Sequence, residues 1–167
     1  VSFLAHEKQL IVRALLTDLK VDRVEVASAR VSAGEKDSVR DICSWAARHD
    51  VLDRIEVLGF VDGGASLQWL RDCGCRCMNL LCKGSYRHCT QQLKKTPAEH
   101  IADIRQAIAD ATSSGVSVNV YLEDWSNGMK DSPDYVFNLI ESLGDCGVKR
   151  FMLPDTLGVL SPFGVME

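Results

Sequence analysis

The stretch Val148–Pro162, VKRFMLPDTLGVLSP, decides the architecture. Phe151, Met152 and Leu153 form the short apolar run that a fully buried strand gives. Pro154 ends the run, Asp155 and Thr156 present an acid and a hydroxyl, and Gly158 turns the chain. A buried strand that delivers polar side chains at its carboxyl end is the unit from which an α/β barrel builds a site.

The same plan is repeated upstream. Residues 5–19 read as a helix, with Ile11, Leu15 and Leu19 at four-residue spacing and Val12 and Leu16 beside them. VDRVEVAS (21–28) alternates apolar and charged residues and reads as a strand, with Glu25 a candidate inward carboxylate. A second helix spans about 35–49, and a second strand, RIEVLGFV (54–61), stops at the turn signal Asp62-Gly63-Gly64. A short helix with Leu67, Trp69 and Leu70 closes at Gly74. A third strand over about 75–83 runs into Lys83-Gly84-Ser85.

Thr96-Pro97-Ala98-Glu99 is the clearest helix start in the chain: a capping hydroxyl, Pro at the first helical position and Glu three residues after the cap. That helix directs Ile101, Ile104, Ile108 and Ala111 inward and ends at Gly115. VSVNVYL (116–122) is the fourth strand and runs into Glu123-Asp124-Trp125-Ser126-Asn127-Gly128. Ser132-Pro133 opens another helix, with Val136, Leu139, Ile140 and Leu143 inward, before the fifth strand at 148–153. Strict alternation of strand and helix predicts a parallel sheet with right-handed crossovers.

Two architectures use this unit. An open doubly wound sheet favours a glycine-rich phosphate loop after its first strand, and VEVASARVSAGEK has neither G-x-G-x-x-G nor G-x₄-G-K-[ST]. The closed barrel is preferred. It needs eight strands and about 250 residues, so the expected fold is α/β: a partial (β/α)8 barrel of about five parallel strands, one incomplete domain over 1–167. The chain is then an internal segment of a longer barrel.

Composition narrows the function classes. With 46% hydrophobic and 25% charged residues and net charge −4, the sequence is that of an ordinary globular protein. It has no Lys/Arg block, which argues against nucleic acid or anionic membrane as partners. No apolar run approaches the ~18 residues a membrane helix requires. Of seven cysteines, Cys73, Cys75, Cys77, Cys82 and Cys89 are closely spaced. Cys73-x-Cys75-x-Cys77 lacks the C-x₂-C knuckle, and no His-x₃-His follows. The preferred reading is small hydrophobes in a reducing cytosol, with Cys75 and Cys77 on one side of a strand.

Five segments taken together carry a resemblance: VDRVEVASARVSAGE (21–35), RIEVLGFVDG (54–63), NLLCKGSYRHCTQQLKKTPAEH (79–100), NVYLEDWSNGMKDSPDYV (119–136) and RFMLPDTLGVLSP (150–162). In order and spacing they resemble the catalytic barrel of the 2-isopropylmalate and citramalate synthases, the Claisen-condensing DRE-TIM metallolyases. The resemblance implies an acyltransferase. A divalent metal (Mg²⁺, Mn²⁺ or Zn²⁺) polarises the carbonyl of a 2-oxo acid, and the enolate of acetyl-CoA attacks it. Thioester hydrolysis then releases CoA and a 2-alkylmalate, a step of branched-chain amino-acid biosynthesis.

By the same resemblance, Thr156 hydrogen-bonds the carboxylate of the 2-oxo acid and Glu123 stands in the catalytic centre, positioning or relaying a proton. Leu58, Leu81 and Tyr121 line the pocket for the acceptor's side chain. Ser85 and His88 match a Ser-x-x-His at the rim, and Asp155 holds its loop. Asn127 stands where the wider family often has Arg, which argues against a dicarboxylic acceptor. The bulk of Tyr121 favours pyruvate over 2-oxoisovalerate, although a methylene is worth only about 1–3 kcal/mol.

The family's metal-binding motifs, an Asp-x-Thr-Leu-Arg-Asp-Gly-Glu-Gln-like run on the first strand and His-x-His on the seventh, do not occur here. The segment alone is therefore expected neither to hold the metal nor to turn over. Small-molecule substrates, a homo-oligomer and a cytoplasmic location complete the expectation. Two alternatives stand beside it: an acyl-CoA lyase of the same superfamily, and a non-catalytic interaction fragment whose two unpaired strand edges drive association.

Overall fold

A computed structural model describes residues 3–166. Its centre is one parallel sheet in the order β1-β2-β3-β4-β5, formed by Val24–Ser28, Ile55–Phe60, Cys77–Lys83, Ser117–Glu123 and Phe151–Met152. Helix α1 (Ala5–Arg13) precedes β1, and between the strands run α2 (Ala33–Arg48), α3 (Ala65–Asp72), α4 (Pro97–Ser113), α5 (Trp125–Asp131) and α6 (Pro133–Leu143). Each strand pairs with the next in sequence, the topology of a barrel wall rather than of a sheet that reverses direction at a switch point. The architecture is the expected partial (β/α)8 barrel. Among the described residues β1 and β5 each have one strand neighbour.

The two faces of the sheet are chemically unlike. Ile55, Val57, Met78, Leu80, Cys82, Val118, Val120 and Leu122 join the core cluster with Ile42, Leu70, Ile104, Ile108, Leu139 and Leu143 from the helices. The alternate positions Glu56, Leu58, Asn79, Leu81, Lys83, Asn119, Tyr121 and Glu123 lie outside that cluster, on the inner face. Side chains two apart on a strand share a face, so the helix layer takes one set and the barrel interior the other.

Local signals place most boundaries. Thr96 Oγ1 accepts the Glu99 N–H at 3.3 Å while the Glu99 carboxylate accepts the Thr96 N–H at 2.8 Å, a complete capping box with Pro97 in the first turn. Several expectations are corrected. The first strand begins at Val24, because the Val21 N–H is drawn back to the Leu15 carbonyl at 3.0 Å to close the preceding helical turn. In the first helical segment Val12 and Leu16 are the buried pair. Ile11 (42% exposed) and Leu19 (71%) face outward, so the buried stripe is one residue round from the one expected. A helix that the sequence reading does not anticipate, Trp125–Asp131, follows β4.

The cysteines also divide differently. The strand starts at Cys77, so Cys75 precedes it and drops into the core with Cys43 and Cys73. Cys77 lies on the inner face, its sulfur 3.4 Å from Asn119 Nδ2. All seven cysteines carry free thiols. Among the described residues no helix is long and apolar enough to cross a membrane.

Candidate active site at the carboxyl ends of the strands

The site is built where β3, β4 and β5 end. Parallel register sets Leu81 opposite Tyr121, Lys83 opposite Glu123, and Tyr121 opposite Met152. Alternation therefore stacks an apolar pair (Leu81, Tyr121) beneath a charged pair, with Leu58 on the same face but one step lower, opposite Asn79. Lys83 Nζ is bonded to Glu123 Oε2. Both side chains are largely covered, with 15% and 26% of their surfaces exposed. The Lys83 main chain is fixed from behind: its N–H donates to His100 Nε2 at 3.2 Å and its carbonyl accepts the Tyr135 hydroxyl at 2.9 Å.

Beyond Glu123 the chain makes one left-handed residue, Asp124 (φ 65°), a conformation Asp tolerates better than most residues. This turn leaves the Glu123 side chain on the inner face and tucks that of Asp124 beneath α5. The Asp124 side chain is 1% exposed and its carboxylate is fully engaged. Ser85 Oγ donates to Oδ2 at 2.8 Å, Asn127 Nδ2 to Oδ1 at 2.7 Å, and His88 Nε2 lies 3.5 Å from Oδ2. Burial pushes this carboxyl up, but the Asn127 and Ser85 hydrogen bonds and the neighbouring His88 and Arg87 charges outweigh it and leave the pKa lowered.

Thr156 joins the same mouth. Its Oγ1 accepts the Asp124 N–H at 2.9 Å, which leaves its own O–H proton free to donate to a ligand. Asp155 faces its own loop: it accepts from Ser126 Oγ at 2.5 Å and from the Val159 and Leu160 N–H groups at 3.0 and 2.9 Å. Those bonds hold its carboxyl below the usual range.

Thr156, Ser85, His88 and Asn127 are thus brought together in one network centred on Asp124, while the preceding residue, Glu123, pairs with Lys83 on the inner face, where Leu58, Leu81 and Tyr121 also lie. Asn127 is turned onto Asp124 rather than into the mouth. Sequence reasoning passed over Lys83 and Asp124. The signal for Lys83 was its place at the end of an apolar strand, where a helix-layer position would not tolerate a charge.

Two glycines let α5 close over the site. A Cβ on Gly128 would stand 2.0 Å from the Gly84 carbonyl oxygen, and one on Gly84 would stand 2.6 Å from the Leu122 carbonyl oxygen. Only bare backbones can approach so closely. At the opposite, amino-terminal end the inner face carries a polar layer missed by the sequence reading. Glu56, 3% exposed, is bonded to Arg150 and accepts from Asn79 Nδ2 at 3.1 Å and Asn119 Nδ2 at 3.3 Å. Glu25 accepts from Asn79 at 2.6 Å, so the expected inward carboxylate joins this layer instead of the mouth. Burial, with the nearby Glu56 charge, raises its pKa against the Asn79 hydrogen bond.

The residues described do not fit a metal ion. No three His, Cys, Asp or Glu side chains among them converge as a ligand set. The mouth's carboxylates are taken by Lys83 and by the Ser85–Asn127 pair.

Residues 1–167 match the HMGL-like family. Among curated proteins, the 2-isopropylmalate synthase of Saccharolobus solfataricus is 26% identical over 161 residues, covering 96% of this chain and 40% of that protein. The homocitrate synthase of Frankia alni is 27% identical over 162 residues, covering 97% and 44%. The putative (R)-citramalate synthase of Methanopyrus kandleri is 23% identical over 163 residues, covering 97% and 30%. The chain thus spans less than half the length of these relatives. Among solved structures, the HMG-CoA lyase of Bacillus subtilis superposes with a TM-score of 0.70 at 21% identity, covering 99% of this chain and 56% of the lyase. The hydroxymethylglutaryl-CoA lyase of Pseudomonas aeruginosa gives 0.74 at 15%, covering 96% and 54%. Sequential parallel strands, helices on one face and a match along its whole length lead to one conclusion: this chain belongs to the HMGL-like family.

Proposed function

We propose that this chain is part of the catalytic barrel of an acyltransferase that condenses acetyl-CoA with a 2-oxo acid, pyruvate or 2-oxoisovalerate, to a 2-alkylmalate. The branched-chain amino-acid pathway, a cytoplasmic location and a homo-oligomeric parent belong to the same proposal. The observation that supports it is the 2.9 Å bond from Asp124 N–H to Thr156 Oγ1, which ties the hydroxyl to the peptide that joins Glu123 and Asp124. In this reading the Thr156 O–H donates to the acceptor's carboxylate. Glu123 helps position or relay the proton lost from the acetyl methyl group. Leu58, Leu81 and Tyr121 shape the space for the acceptor's side chain, and the buried Asp124 network fixes the turn that follows Glu123. The divalent metal implied by the resemblance has no ligand set among the described residues, so no step is assigned to it.

The test uses the full-length protein that carries this chain, supplied with acetyl-CoA and each 2-oxo acid in turn. Free CoA and the alkylmalate are measured together. Thr156→Ala and Glu123→Gln are each expected to lower kcat/KM by about 10²-fold or more, the size of losing a positioned acid–base or charge-stabilising group. Release of acetyl-CoA from a hydroxyacyl-CoA with no 2-oxo acid present moves the protein to the lyases. A protein that binds none of these compounds and only self-associates is an interaction fragment.

A further inference from the structure

Lys83 has no role in the reading above, although it pairs with Glu123 where β3 and β4 end. Its side chain lies on the inner face, bonded to Glu123 and 15% exposed, and its backbone is pinned from the helix side by His100 and Tyr135. Stability gives little reason for such a residue. Covering an ammonium ion carries a desolvation penalty that offsets much of the pair's Coulomb attraction and that an apolar side chain at the end of a barrel strand avoids.

Electrostatics gives a better reason. An anionic substrate entering this mouth meets the Glu123 carboxylate, and two carboxylates at close range repel each other. An ammonium group has three donors and Glu123 occupies one of them, leaving N–H groups for a second carboxylate. The Thr156 O–H is a neutral donor, and Asn127 is already committed to Asp124.

We infer that Lys83 is a substrate-binding residue whose ammonium group bridges Glu123 and the carboxylate of a small organic acid. This rests on the proposed function for the identity of the acid, but not for the presence of an anion. The bridge cancels the repulsion and sets the distance between the acid and Glu123.

The experiment is calorimetric titration of the full-length holoenzyme with pyruvate, 2-oxoisovalerate and acetoacetate, with methyl pyruvate as the uncharged comparison. Lys83→Met is expected to weaken binding of the acids at least tenfold, as follows from losing a charge-assisted hydrogen bond. Lys83→Arg should stay within about threefold of wild type, and acetyl-CoA binding and the weak affinity for methyl pyruvate should not change. A second readout needs no variant: saturating acid should shield Lys83 from acylation by acetic anhydride, scored by mass spectrometry. The inference is overturned if Lys83→Met binds the acids as wild type does and loses only kcat, if Lys83 is not shielded, or if the wild type binds no acid. A wild type that binds the acids through Lys83 but makes no CoA from acetyl-CoA removes the acyltransferase reading and leaves the carboxylate site standing.

Discussion

Gly128→Ala sets two effects of opposite sign against each other. Gly128 lies inside α5, where exchanging glycine for alanine ordinarily adds about 1 kcal/mol by helix propensity. Here the new Cβ stands 2.0 Å from the Gly84 carbonyl oxygen and 3.0 Å from Val136 Cγ2. A carbon–oxygen contact needs about 3.3 Å, so α5 must lift by roughly 1.3 Å from the end of β3. Overpacking of this kind costs about 1–3 kcal/mol. The contacting atom is backbone and cannot rotate away, so the upper part of that range applies and exceeds the propensity gain.

Thermal and denaturant unfolding of the full-length protein should show a net loss of about 1–2 kcal/mol, or a Tm about 2–8 °C lower for a domain of this size. The lifted helix carries Asn127 and Ser126, which brace Asp124 and Asp155. Activity should therefore fall by about 10²-fold, the cost of an ångström-scale misplacement. Gly34→Ala in α2 is the matched comparison: nothing lies within 4 Å of its added Cβ, so it should stabilise by up to about 1 kcal/mol. A Gly128→Ala protein as stable as wild type would falsify the close approach of α5 and β3.

Two further expectations follow from buried ionisable groups. His100 is 2% exposed and its pKa is lowered to about 4, chiefly by burial and secondarily by the Lys95 charge. The unfolded chain, at about 6.5, binds the proton that the folded one refuses, so stability is full above pH 6.5 and is lost as pH falls towards 4. The loss is on the order of 3 kcal/mol, and His100→Phe should flatten unfolding free energy across that window; an unchanged slope refutes the assignment. Glu56→Gln leaves Arg150 facing a neutral amide and should cost about 2–3 kcal/mol in denaturant unfolding. That is below the 3–5 of a fully buried pair because 37% of the Arg150 side chain is exposed. A neutral result would show that solvent replaces the carboxylate.

Much of the fold is legible along the chain. Thr96, Pro97 and Glu99 announce their helix because capping involves groups three residues apart. The apolar runs announce β2, β3 and β4 because burial against the helix layer selects for them. The candidate site residues are named by the resemblance of their motifs to the family, since strand ends and local turn chemistry alone do not single them out. Failures occur where the decisive partner is distant. Lys83 meets Glu123 across 40 residues, and Arg150 meets Glu56 across 94. Cys75 was placed with Cys77 by a period-two rule that holds only inside a strand, and the strand begins two residues later.

The division has a physical basis. Spacing of apolar side chains, capping groups and turn residues act over one to four positions, and they settle which segments become helices or strands and in what succession. Register between neighbouring strands is a property of the assembled sheet. Only that register pairs the ammonium group of Lys83 with Glu123, lowers α5 onto the bare backbone of Gly84, and turns Glu56, Asn79 and Asn119 from polar residues in apolar strands into one bonded layer.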